Sequence, residues 1–91
     1  MKTICKLPII LEPQPEGGYT ITCPLIPNFV TEADTIDEIT TNVSDALEAL
    51  IEGYHDLGKP VPEILRPHTI EYPIWAETLI PIAVTAWNIL K

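Results

Sequence analysis

Residues 11–56 read LEPQPEGGYTITCPLIPNFVTEADTIDEITTNVSDALEALIEGYHD, and the stretch contains no Lys or Arg. Its first part, Pro13-Gln14-Pro15-Glu16-Gly17-Gly18, is a turn by composition. Proline fixes φ, and the glycine pair supplies positive φ at little steric cost. In Tyr19-Thr20-Ile21-Thr22-Cys23, apolar side chains alternate with threonines, the period-two pattern of a strand with one buried and one wet face. Pro24-Leu25-Ile26-Pro27-Asn28 breaks that strand, and Phe29 to Ala33 reads as a third, short strand between turn-forming neighbours.

The helix that follows is the strongest periodic signal in the chain. Ile36, Ile39, Val43, Ala46, Leu47, Leu50, Tyr54 and Leu57 recur every three or four residues and form one apolar stripe. Thr35 as N-cap with Glu38 three residues later predicts a capping box, and Gly58 before Lys59-Pro60 predicts the stop. Gly53 in the last turns costs about 1 kcal/mol relative to Ala, which points either to early fraying or to close packing. Asp45, Glu48, Glu52 and Asp56 stack along the opposite face with no cation to offset them. Such a stripe is either a solvated face or a surface for a basic partner.

Working outward, Thr3 to Glu12 predicts a first strand, with Cys5, Leu7, Ile9 and Leu11 on one face. Pro8 cannot donate a ladder hydrogen bond, which places it on an edge or at a bulge. Residues 59–73 contain four prolines, the composition of an extended connector over the surface. The apolar tail is compatible with helix or strand. Pro81 would cost a helix interior about 3 kcal/mol, so a final strand is expected near 79–87.

Ninety-one residues leave room for one domain, here expected to span 1–91 with its core in 2–64. Apolar residues make up 46% of the chain, more than so small a domain buries, so some apolar surface is expected to meet another subunit. Trp75, Ile80, Ile82, Val84 and Trp87 are the expected contacts of a homo-oligomer. Thirteen acids against five basic residues give a net charge of −8. That balance disfavours direct contact with nucleic acid or an anionic membrane and speeds encounter with a basic protein, although net charge also serves simple solubility. No signal-peptide pattern opens the chain, and the tail falls short of the roughly 20 clean apolar residues of a membrane span. A cytoplasmic location follows as the expectation, with Cys5 and Cys23 as free thiols.

Signals for catalysis are sparse. Glu12 and Glu32 are the strand-borne acids that a metal-dependent nuclease would require, but neither has a second acid beside it on a central strand. His55 and His68 lack zinc-ligand spacing. Phosphate-loop, nucleophile-elbow and dinucleotide motifs do not occur. No cofactor is expected, and a metal-dependent nuclease is a remote alternative.

The order of strand, Glu12-Pro13, Glu16-Gly17-Gly18-Tyr19, strand, Pro24 with Pro27, Thr31-Glu32-Ala33-Asp34-Thr35 and an acidic helix resembles the HicB-like antitoxin family. Asn42-Val43, Ala46-Leu47 and Gly58-Lys59-Pro60-Val61-Pro62-Glu63 extend the resemblance, which spans about residues 4–64. It implies an α+β fold in β-β-β-α-β order, degenerate ribonuclease H-like, and a non-catalytic protein that occludes a small basic mRNA-cleaving toxin of the HicA kind. The acids Glu12, Glu16, Glu32, Asp34, Asp45, Glu48 and Glu52, with Tyr19 as an aromatic anchor, are the expected contacts. The family often has Gly at the positions of Asn28 and Ala33 and Asp at that of Leu25. Many relatives add a C-terminal DNA-binding module for which the residues after Pro67 offer no basic surface, so a short form is expected. An orphan oligomer without a toxin is the competing reading.

Overall fold

The structure, a computed structural model, describes residues 4–82. Its centre is an antiparallel meander of three strands in the order β1-β2-β3, formed by β1 (Ile10–Pro13), β2 (Tyr19–Thr22) and β3 (Val30–Ala33). A 3-10 turn, Ile36–Glu38, leads into a single long helix, α1 (Ile39–Asp56), and a second 3-10 turn follows at Glu63–Leu65. The architecture is therefore α+β, with one helix on one face of a small sheet.

The β1–β2 hairpin closes as its residues dictate. Gly17 N–H donates to the Gln14 carbonyl and Gln14 N–H to the Gly18 carbonyl, both at 3.0 Å. Gly17 and Gly18 have φ of 105° and 79°, values that only glycine adopts freely. A Cβ on Gly18 would stand 3.0 Å from the Ala33 carbonyl oxygen, so the hairpin tip also needs glycine for close approach to the end of β3.

Register assigns the two sheet faces. Leu11, Ile21 and Thr31 pair across the strands, as do Pro13, Tyr19 and Ala33. On this side Ile21 and Ala33 are buried against Ile39, with Leu11, Ile36 and Val43 packed around them. A second cluster, Cys23, Ile26, Phe29 and Leu65, lies beyond the sheet's other end against Val43, Ala46, Leu47 and Leu50. Val43 touches both clusters and joins them into one core. Ile21 and Leu65 are fully buried, each contributing about 1.5–3 kcal/mol of hydrophobic stabilisation.

Several expectations from the sequence need correction. The first strand joins the sheet only from Ile10 onward, while Ile4 makes an isolated antiparallel bridge with His68. Residues 5–9 between them, Pro8 without an N–H among them, enter no ladder; Thr3 lies outside the described residues. The capping box does not form. Glu38 N–H is taken by the Thr35 carbonyl at 3.3 Å in the 3-10 turn, which leaves the Thr35 side chain without its usual donor, and the Glu38 carboxylate instead accepts the Asp34 N–H at 3.0 Å. At the other end the expected stop is present. Lys59 N–H donates to the Tyr54 carbonyl and Gly58 N–H to that of His55, around Gly58 at φ 66°, which together make a Schellman motif.

Leu57 is 71% exposed and falls off the apolar stripe. Gly53 is exposed inside a continuous helix with nothing near its absent Cβ, which excludes close packing as its reason. The connector is more than a surface wrap: its 3-10 turn drives Leu65 into the core, and the Cys5 thiol donates to the Leu65 carbonyl at 3.1 Å. Both cysteines are free. In the expected last strand, residues 79–82 lie outside any regular element and are exposed. The remainder of that strand, with Val84 and Trp87, lies outside the described residues.

Candidate partner-binding surface

α1 covers one face of the sheet, and among the described residues no element covers the other. On the open face the register aligns Ile10, Thr22 and Val30 in one row and Glu12, Thr20 and Glu32 in the next. β1 and β3 thus share an apolar-x-Glu pattern, Ile10-Leu11-Glu12 and Val30-Thr31-Glu32, with an apolar side chain and an acid projecting outward two residues apart. Ile10 is 52% and Val30 60% exposed, and Glu12 and Glu32 are exposed. The face is graded from an apolar end to an acidic one.

The acidic end is extended by neighbouring loops. Glu16 sits exposed in the hairpin turn, and the close packing of Gly18 on Ala33 and Asp34 brings Asp34 to the same end. Glu12, Glu16, Glu32 and Asp34 are therefore grouped. The Gln14 amide organises this corner by donating to Thr20 Oγ1 at 2.9 Å and to the Glu12 carbonyl at 3.3 Å.

The helix acids divide. Asp45 lines a shallow depression along the β3 edge with Val30, Glu32 and Asn42. The Asn42 side-chain amide donates to the Glu32 carbonyl at 2.8 Å and fixes that junction. Glu48 instead stands on the rim of a different groove, between α1 and residues 4–9. Glu52 is exposed further along the helix. Tyr19 belongs to the helix-facing row with Pro13 and Ala33 and is half-buried there, on the face opposite Glu12 and Glu32. Sequence reasoning missed Ile10, Val30 and Asn42. The repeated apolar-x-Glu triplet was the available signal for the first two, whereas nothing local marks Asn42 as the residue that meets Glu32.

The described part of the tail is uncovered as well. Trp75 is 90%, Ile80 71% and Ile82 65% exposed. Among the described residues, no group of three or more His, Cys, Asp or Glu side chains could hold a metal ion, and no helix is long and apolar enough to cross a membrane. The surface offers carboxylates and aliphatic groups in a fixed array, which suits recognition by charge and shape.

Residues 6–84 match the family described as HicB_like antitoxin of bacterial toxin-antitoxin system. The chain belongs to the HicB-like antitoxin family. Among its relatives, this HicB-like chain is 32% identical over 72 residues to UPF0150 protein ssr1765 of Synechocystis sp., covering 76% of the chain and 91% of that protein. It is 33% identical over 73 residues to Antitoxin HicB of Escherichia coli, covering 76% of the chain and 53% of the relative. It is 37% identical over 57 residues to Antitoxin HicB 1 of Photorhabdus laumondii, covering 63% and 37% respectively. The chain thus spans about half or less of the two relatives named antitoxins. At the positions where HicB-like proteins often carry Gly, Asn28 takes φ 65°, a conformation Asn tolerates better than other side chains. Ala33 is an ordinary buried strand residue that requires no positive φ.

Proposed function

We propose that this HicB-like protein is an antitoxin that silences a small basic toxin of the HicA kind by occupying its basic surface, with no catalytic step of its own. The observation that carries the reading is the graded open face, where Glu12 and Glu32 flank Thr20 beside exposed Ile10 and Val30. Carboxylates at one end pair with Lys and Arg of the toxin, and the aliphatic end supplies desolvated contact. Glu16 and Asp34 widen the acidic end, and Asp45 adds charge along the β3 edge; Glu48 and Glu52 contribute long-range field, and Tyr19 braces the face from behind.

In this reading the chain is one cytoplasmic domain over 1–91 with its core in 2–64. The meander and helix belong to a degenerate ribonuclease H-like arrangement, and the protein works as a homo-oligomer without touching nucleic acid directly. The exposed tail residues Trp75, Ile80 and Ile82 support the oligomer. They also favour the second reading, in which the oligomer stands alone without a toxin.

Tagged protein recovered from its native cell, with co-purifying chains read by mass spectrometry, separates the two. The antitoxin reading expects a small basic protein whose toxicity is lost on binding. Recovery of this chain alone, together with failure to rescue cells from a neighbouring candidate toxin, would overturn it.

A further inference from the structure

Hydrogen-bonded and non-hydrogen-bonded pairs alternate along an antiparallel ladder, so a single bond fixes the direction of every main-chain group in the sheet. Gln14 N–H donates to the Gly18 carbonyl at the hairpin tip, and this pair continues the β1–β2 register. Glu12–Thr20 and Ile10–Thr22 are then the hydrogen-bonded pairs of β1 and β2, which leaves the main chains of Tyr19 and Ile21 to Ala33 and Thr31. Val30 and Glu32 consequently turn their N–H and C=O groups away from β2, out of the sheet. The 2.8 Å bond from the Asn42 amide to the Glu32 carbonyl agrees with that direction. One position on, the Asp34 N–H is held by the Glu38 carboxylate at 3.0 Å. Among the described residues, the N–H and C=O of Val30 and the N–H of Glu32 have no hydrogen-bond partner.

The side chains around this edge carry negative charge on both of its faces. Glu32 projects onto the open face of the sheet, whereas Asp45 reaches the edge from α1, on the side of the helix-facing Thr31. Together they border a shallow depression of about 600 Å³ whose lining contains no basic residue. The β1 edge is different. Leu11 points outward there, but Pro13, the next outward position, has no N–H to give. The groove between α1 and residues 4–9 also carries Lys6 as well as Glu48 and Glu77, so its charges nearly balance. A second copy of this chain paired along β3 would set acid against acid.

We infer that an extended segment of a basic protein adds to the sheet as a strand along β3, and that this segment carries two consecutive Lys or Arg residues. Main-chain bonds to Val30 and Glu32 supply the affinity, and the side chains supply the selection. Successive side chains of a strand point to opposite faces. A basic residue opposite Glu32 therefore meets its carboxylate on the open face, while the neighbour opposite Thr31 turns to Asp45. Two basic residues separated by one would share a face and leave one acid unmatched. The Asn42 bond is kept, because a carbonyl oxygen has a second lone pair. The inference rests on the antitoxin reading and deepens it by naming the kind of segment through which the toxin is held.

The test uses the full chain, isotope-labelled for NMR, and two synthetic peptides of one composition, acetyl-Thr-Val-Lys-Arg-Val-Thr-amide and its isomer acetyl-Thr-Lys-Val-Arg-Val-Thr-amide. With the first peptide at millimolar concentration, the amide hydrogens of Val30 and Glu32 are expected to become protected from exchange. The isomer is expected to bind several-fold more weakly. Glu32→Gln with Asp45→Asn, both at exposed positions, is expected to remove most of the difference between the peptides and leave the circular dichroism spectrum unchanged. No protection of these two amides, protection at Leu11 instead, or equal binding of the two peptides to the wild type would overturn the inference. So would protection of Val30 and Glu32 without peptide that grows with protein concentration, which would mean that a second copy occupies the edge. Should the double variant fail to fold, the two peptides on the wild type decide alone. The antitoxin reading stands or falls separately: a basic toxin that co-purifies while the peptide leaves both amides unprotected keeps that reading and removes the added strand, and a protected edge in a chain that recovers no toxin does the reverse.

Discussion

The side-chain amide of Asn42 donates a 2.8 Å hydrogen bond to the main-chain carbonyl of Glu32. Asn42 belongs to the helix and Glu32 to a strand that, among the described residues, is paired on one side only, so this bond satisfies a polar group on the sheet edge. It also fixes the spacing between the acids of the sheet and Asp45.

Asn42→Ala is therefore expected to cost about 1 kcal/mol, the usual net value of a single hydrogen bond. Urea denaturation followed by circular dichroism measures the loss, and an unchanged midpoint would show that water replaces the amide at no cost.

Glycine substitutions should differ in sign along the chain. Gly53→Ala, in an exposed helix position with open space around it, is expected to stabilise by about 1 kcal/mol. Gly18→Ala places a Cβ 3.0 Å from a backbone carbonyl at φ 79° and is expected to destabilise by roughly 1–3 kcal/mol. Thermal melts of the two variants should move in opposite directions.

Glu12→Gln, Glu32→Gln and Asp45→Asn, made together, should slow association with a toxin of the proposed kind several-fold at low salt and flatten the salt dependence of the rate. Glu48→Gln, on the other groove, should act more weakly. Stopped-flow association over a range of ionic strengths tests both, and equal effects would show that total charge rather than the acidic end steers the encounter.

Leu65→Ala should cost about 2–5 kcal/mol, the range for a large-to-small change at a fully buried position. A denaturation midpoint close to that of the wild type would mean that the 3-10 turn contributes little to the core.

Local signals in the sequence were legible where one element determined them. Gly17 and Gly18 encode the hairpin, threonine alternation encodes β2, and the three-four spacing from Ile39 to Tyr54 encodes the helix. Gly58 likewise marks the helix end, because a Schellman motif depends on little beyond a residue at positive φ. Features that depend on distant partners were not legible. Leu65 sits in a proline-rich segment whose composition signals exposure, and only its contact with Cys5 and the core reveals it as buried. Tyr19 lies on the helix-facing side of β2, a placement that strand alternation leaves open because it gives two faces without saying which one the helix covers. The acids at the hairpin end came together through register, which no single strand specifies.

The closing contact between Cys5 and Leu65 joins residues sixty positions apart, whereas the hairpins and helix between them are built from near neighbours in the chain. During synthesis the meander and helix are complete once residue 56 has emerged, and the slot for Leu65 is still empty at that point. Contacts between distant positions carry the larger loop-closure cost and come late in folding. Among the described residues, the last piece of the core is therefore also the first that a truncated or stalled chain would lack.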